Sequence, residues 1–291
     1  MTHECEHNHN DDHECCGGHG DHCGHHGHDK SATPPTPGIA KYTPNSVSSF
    51  KHVIGIVSGK GGVGKTLVTC LLASELHRQG KKVGILDADV TGPSIPTAFG
   101  TTGPLVQDDT GIIPAESADG IKLMSTNFML PEPDMAVAWR GPVINGVLAQ
   151  FFKDVNWGDL DYLLIDMPPG TGDVALTVFQ SLPLEGIITV SAPQDLVSII
   201  VGKAVNLAKD INLPVLGLVE NMAYFKCPNC NEKHAIFGES QGKEVAQKYD
   251  IPAYCALPID PAIAKLVDAG KIMEYNVEGA LDEMLKAIGA L

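Results

Sequence analysis

Fifteen residues, HVIGIVSGKGGVGKT (52–66), constrain the fold of this chain more than any other stretch. His52–Ser58 is dominated by Val and Ile, which reads as a strand buried on both faces. GKGGVGKT (59–66) then fits GxxxxGK[ST] and leads into a predicted helix from about Lys65 to Gln79. A glycine-rich turn in that setting folds backbone N–H groups inward around phosphate oxygens, since no Cβ blocks their approach. The helix N-terminus adds the positive end of its dipole. Gly59, Lys60, Gly61, Gly62, Val63, Gly64, Lys65 and Thr66 are therefore read as the phosphate loop of an ATP site. In that reading Lys65 bridges the terminal phosphates and the Thr66 hydroxyl serves Mg²⁺.

The rest of the chain repeats the aliphatic-run-then-helix pattern. KVGILDAD (82–89), YLLIDMP (162–168), GIITVSAP (186–193) and VLGLVEN (215–221) are continuously apolar rather than alternating, as strands of a parallel sheet covered on both faces would be. Helices are expected over GPVINGVLAQFF (141–152), from the end of the 186–193 strand through about Lys209, and at about 240–249. IIPAESADGIKLMST (112–126) reads as a hairpin, and a short strand at 252–257 precedes two closing helices. The predicted fold is α/β: a doubly wound, mostly parallel P-loop NTPase domain.

Parallel strands bring their C-terminal ends to one edge, so acidic residues there converge on the phosphate loop. Asp166 ends one such strand, where a Walker B carboxylate for Mg²⁺ belongs. Asp87 and Asp89 end another and are assigned to catalysis with Lys65, against the plainer alternative of helix capping or turn formation. Lys60 is an additional cation near the start of the loop. Within one chain it is a further phosphate ligand, and across a dimer it suits a lysine reaching the partner's nucleotide as an arginine finger would.

Composition breaks near residue 31. Residues 1–30 hold nine of the twelve His and four of the eight Cys with almost nothing aliphatic, so a disordered metal-binding tail is expected. Residues 31–50 read as a Pro-rich linker and 51–291 as the P-loop ATPase domain. On the tail, Cys5, Cys15, Cys16 and Cys23 with the histidines suit Zn²⁺, Ni²⁺ or an iron–sulfur cluster (a second one if the Cys227/Cys230 pair also holds one), or form a merely solvated segment. A formal net charge of −15 argues against nucleic-acid and anionic-membrane partners, and no signal or transit layout is evident, so a cytoplasmic location is expected. Reduced thiols follow from that location, with Cys70 and Cys255 read as small core residues.

FKCPNCNEK (225–233) places Cys227 and Cys230 in CxxC spacing, two ligands where a tetrahedral zinc or an iron–sulfur cluster wants four. His234 offers a third in C-x2-C-x3-H, so structural zinc and a shared cluster both stay open on spacing alone.

SGKGGVGKT with its early Lys60 resembles the deviant Walker A ATPases. DADVTGPSIP, WRGP (139–142), LLIDMPPGTGD, VENMAYFKCPNC and LPID (257–260) narrow the resemblance to the Mrp/ApbC-type iron–sulfur cluster carrier ATPases, over about residues 50–290. The resemblance implies a slow ATPase and a homodimer that sandwiches nucleotide and bridges a labile [4Fe–4S] cluster through the CxxC of each chain. A cluster donor and apo iron–sulfur clients would be its other partners. It further implies that Asp87 activates the attacking water with Asp89 in support, that Thr66 and Asp166 serve Mg²⁺, and that Asn221 contacts the adenine base. The four Cys of the tail depart from it, since relatives with an N-terminal cluster space their cysteines and Cys15 and Cys16 are adjacent here. Rival readings weigh less. A MinD/ParA-like switch with a structural zinc would need a basic or amphipathic surface, and the ending VEGALDEMLKAIGAL supplies neither. A nitrogenase-type redox ATPase needs a cysteine in DMPPGTGD, which has none. A zinc scaffold without activity leaves the intact phosphate loop unexplained.

Overall fold

The computed structural model of the chain describes residues 41–89, 94–129, 141–170, 172–193 and 197–291. The tail assignments, including Cys5, Cys15, Cys16 and Cys23, fall outside these residues, as do Val90–Pro93 and Trp139 and Arg140 of the WRGP motif.

In chain order the elements are β1 (Ser49–Ser58), α1 (Lys65–Arg78), β2 (Val83–Asp87), α2 (Ile95–Ala98), β3 (Val106–Asp108), β4 (Gly111–Ile113), β5 (Ala115–Glu116) and β6 (Lys122–Ser125). They continue with α3 (Gly141–Lys153), β7 (Asp159–Asp166), α4 (Asp173–Ser181), β8 (Gly186–Ser191) and α5 (Val197–Asp210). The last are β9 (Val215–Lys226), β10 (Lys233–His234), α6 (Gly242–Lys248), β11 (Tyr254–Ile259), α7 (Pro261–Asp268) and α8 (Asp282–Ala287).

Among the described residues one sheet of nine strands runs β10-β9-β8-β1-β7-β2-β6-β5, with β11 also paired to β9. Every pairing from β9 across to β6 is parallel, as is β11 with β9, while β10 and β5 join antiparallel at the margins. The fold is thus the doubly wound α/β P-loop architecture expected. Burial explains the aliphatic strands. β2 and β8 are buried along their whole length, so neither face tolerates a polar alternation. On one face α1, α2, α7 and α8 close a core around Leu71, Leu72 and Ile85, and on the other α3 and α4 pack on Phe151, Phe152 and Trp157. A smaller cluster joins α5 and α6 over Leu218. No described helix is long and apolar enough to cross a membrane.

The structure departs from or adds to the sequence reading at three places. β9 does not stop at Asn221 but runs on to Lys226, because its far end finds new partners in β10 and the end of β11. The 112–126 segment belongs to two hairpins: Ile112 and Ile113 fold back on Val106 and Gln107, and only Ala115–Glu116 pairs with β6. α4 follows the PPGTG loop directly, where the glycines and prolines masked a helical start. In the segment read as linker, Tyr42 already lies on the domain, its N–H donating to Ser181 O at 2.6 Å.

Candidate phosphate-loop site and cysteine turn

β1 delivers the loop to the sheet's C-terminal edge, and two of its glycines make the turn possible. Gly62 and Gly64 have φ of 78° and 82°, a region side chains avoid. A Cβ on Gly64 would also lie 2.2 Å from Asn221 Nδ2. Gly64 has no side chain to cap α1, so the first-turn N–H groups of the helix face the loop. Asn221 reaches across from β9 and donates from Nδ2 to Val63 O at 3.0 Å, bracing the loop from outside.

Asp166 is the electrostatic centre. It is fully buried at the end of β7, beside Asp87 in β2 register. Lys65 Nζ lies 2.8 Å from its Oδ2 and 3.5 Å from Asp89 Oδ2. Thr66 donates to Asp166 Oδ2 at 2.6 Å, and Thr69 to Oδ1 at 2.7 Å. Asp87 accepts from Ser125 Oγ at 2.9 Å and from the Asp89 N–H at 3.2 Å. Burial, reinforced by the charge of Asp166, holds the Asp87 carboxyl well above the usual carboxylate range, with the Ser125 hydrogen bond and Lys65 opposing. Lys60 is half-buried on the loop and joins no ion pair among the described residues. Gly59 is pressed against α5, where a Cβ would stand 2.2 Å from Ile200 Cγ2.

The structure therefore gathers Lys65, Thr66, Asp87, Asp89 and Asp166 into one cluster, with Asn221 on the loop's other side. Thr69 and Ser125 complete it, and neither stood out in the sequence. The signal for Thr69 is a second hydroxyl three residues after Thr66, on the same face of α1. Ser125 sits at the end of a strand whose place beside β2 the sequence did not reveal.

Beyond Asn221, β9 continues to the cysteine turn. The Cys227 N–H donates to Glu232 O and the Asn231 N–H to Cys227 O, both at 2.9 Å, with Asn231 at φ 60° closing the knuckle. Cys227 is half-buried and Cys230 exposed. Backbone N–H groups of Cys230 and Asn229 point at the Cys227 sulfur and lower its pKa from the ordinary thiol value. Among the described residues no three His, Cys, Asp or Glu side chains gather as for a metal ion, so His234, on β10, does not join the two thiols. A cleft of about 800 Å³ opens beside Cys227, walled by Lys226, Lys233, Asp260 and Tyr275. Cys70 and Cys255 are buried in the core, as read from the sequence.

Residues 49–290 match the ParA family, in the form described as the NUBPL iron-transfer P-loop NTPase. The chain belongs to this family. Among related P-loop NTPases, an iron–sulfur cluster carrier protein of Clostridium perfringens is 44% identical over 81% of this chain and 86% of its own length. A cytosolic Fe–S cluster assembly factor of Kluyveromyces lactis is 42% identical over 77% of this chain and 82% of its own. A nucleotide-binding protein of Archaeoglobus fulgidus, solved in complex with ADP, superposes with a TM-score of 0.71 at 47% identity, covering 78% of this chain and 89% of that one. The cell-division ATPase MinD of Pyrococcus furiosus shares the fold, with a TM-score of 0.53 at 22% identity over 82% of this chain and 98% of its own.

Proposed function

We propose that this iron-transfer P-loop NTPase is an ATP-hydrolysing carrier that holds a labile [4Fe–4S] cluster between two copies of itself and passes it to apo iron–sulfur proteins. The observation that carries the reading is the strand β9, which grips the phosphate loop through Asn221 and ends in a turn bearing two thiols. Two thiolates are half a cluster's ligand set, and a second copy supplies the other half. The names of the relatives from C. perfringens and K. lactis support the cargo, and that of the latter supports a cytosolic setting.

The chain's own residues divide the work as follows. The Gly59–Thr66 backbone cradles the phosphates. Lys65 exchanges its contacts with Asp166 and Asp89 for the terminal phosphates, while Asp87 and Asp89 orient the attacking water. Lys60 of the second copy reaches into the site and makes hydrolysis depend on dimer geometry. Asn221 contacts the adenine base from the same place where it braces the loop. Mg²⁺ fits Thr66 and Asp166, whose hard oxygens lie 2.6 Å apart beside the loop, and would neutralise phosphate charge there. The switch loops after Asp87 and Asp166 respond to the γ-phosphate, and β9 carries the response to the cluster.

Anaerobic iron–sulfur reconstitution of the full chain and of a Cys227→Ala/Cys230→Ala variant tests this reading. Wild type is expected to bind about four irons per dimer more than the variant, with nucleotide affinity equal in both. A tetrahedral zinc at the two thiols that reconstitution cannot replace would instead make the turn structural and the protein an ATPase switch.

A further inference from the structure

Glu220 is fully buried and has no cationic partner among the described residues. Its Oε2 accepts from Tyr254 Oη at 2.6 Å and from Ser240 Oγ, and its Oε1 is buried without a hydrogen-bond partner among the described residues. Such a group is costly to retain unless its geometry is used. Its two donors come from separate elements. Tyr254 opens β11, and Ser240 ends the arm that leaves β9 at Cys227 and re-enters the fold at α6. Gly242, the first residue of α6, is pressed onto the same carboxylate, since a Cβ there would stand 2.8 Å from Oε2.

The next residue points the other way. Leu218 and Glu220 face α5 and α6, whereas Val219 and Asn221 face α1, and Asn221 is the residue that holds Val63. Immediately after it the strand is irregular. Between the Ala256–Glu220 and Pro258–Tyr224 pairs β9 advances four residues while β11 advances two, and Met222 has φ 57°. A short, strained bulge thus separates a lower strand fixed in the sheet from an upper strand that bears the thiols.

We infer that Glu220 is a positioning residue for the cysteine turn. With Ser240 and Tyr254 it ties the arm's C-terminal root to the point on β9 where Asn221 grips the phosphate loop, so both roots of the arm follow that loop. The inference rests on the reading of Cys227 and Cys230 as the cargo thiols of a nucleotide-driven carrier. The carboxylate acts through the arm and touches neither nucleotide nor cargo.

Thiol labelling tests it without needing a cluster. The full-length, reduced chain is treated with a maleimide with and without ATP and Mg²⁺, and peptide mass spectrometry follows Cys227 and Cys230 separately from the tail cysteines. Wild type is expected to change its labelling rate by about five-fold or more with nucleotide, the lower end of typical site-to-site coupling. Ser240→Ala and Tyr254→Phe are expected to keep nucleotide affinity and hydrolysis while losing most of that ratio, as is Glu220→Gln where it folds. A wild-type ratio of one, or wild-type ratios in both Ser240→Ala and Tyr254→Phe, overturns the inference. Iron content of the same preparations after reconstitution judges the cargo separately. No iron with an intact, Ser240-dependent ratio would sink the carrier reading and leave the coupling in place.

Discussion

Thr69 Oγ1 donates to Asp166 Oδ1 at 2.7 Å, one helical turn beyond Thr66, which serves the other oxygen at 2.6 Å. Two hydroxyls on one face of α1 thus fix the plane of a fully buried carboxylate. Thr69→Val keeps the shape and removes one donor. Urea unfolding is expected to show a loss of about 1–3 kcal/mol, the usual consequence of stranding a buried acceptor. The freed carboxylate also turns away from its place by the phosphate loop, so kcat should fall roughly ten-fold or more. A normal kcat in a destabilised Thr69→Val protein would show that Lys65 and Thr66 suffice to orient Asp166.

Gly64→Ala combines two penalties that can be separated. Its φ of 82° disfavours any side chain, and its Cβ would collide with Asn221 Nδ2. ADP affinity measured by calorimetry should drop by roughly ten-fold or more, since strain of this kind costs about 1–3 kcal/mol. Adding Asn221→Ala relieves the collision and leaves the backbone strain. The double variant should therefore regain part of the affinity lost by Gly64→Ala, beyond what Asn221→Ala alone would predict. Strict additivity would mean that Asn221 yields without cost.

Much of this arrangement is legible in sequence because it follows local rules. The phosphate loop sits between a buried strand and a helix, and strand ends with Asp87 and Asp166 must share an edge once the sheet is parallel. What escapes is what depends on register. Glu220 and Asn221 are neighbours in VENM, yet strand alternation sends one to the cysteine arm and the other to Val63, and only the β8 and β11 pairings show which. Ser125 meets Asp87 because β6 pairs with β2, a long-range choice that the 112–126 pattern does not encode. The extension of β9 past Asn221 was hidden because Asn and Met at a bulge look like a strand end.

Asp87 sets stability against activity. Burial and Asp166 raise its pKa above that of an unfolded carboxyl, so ionising it penalises the folded state once pH rises above the unfolded value. Asp87→Asn imitates the neutral form and keeps an acceptor for Ser125. In the nucleotide-free protein the variant should unfold about 1 kcal/mol later than wild type at neutral pH, as stabilising replacements at strained active sites do. The gap should close at acidic pH, where wild type is protonated in both states. ATP hydrolysis should be lost throughout. A variant less stable than wild type at neutral pH would mean that the carboxylate is held by favourable contacts which outweigh its burial.

Cys255 gives the same linkage an alkaline window. It is 4% exposed in β11, and burial pushes its thiol from the ordinary 9.0 up to about 11, with a backbone hydrogen bond at Met284 opposing. Below about pH 9 the thiol is neutral whether the chain is folded or not, and it costs nothing. Between the two values only the unfolded chain ionises, which favours unfolding, and the effect is complete once pH passes the folded value. Wild type should thus lose about 2 kcal/mol between roughly pH 9 and 11 on account of this thiol. Cys255→Ala, already less stable from the lost packing, should fall less steeply across that window. The tail cysteines and the tyrosines are common to both proteins, so the difference between their urea midpoints isolates Cys255. Parallel curves across the window would show that this thiol ionises as readily in the fold as out of it, and that water reaches it between β11 and α8.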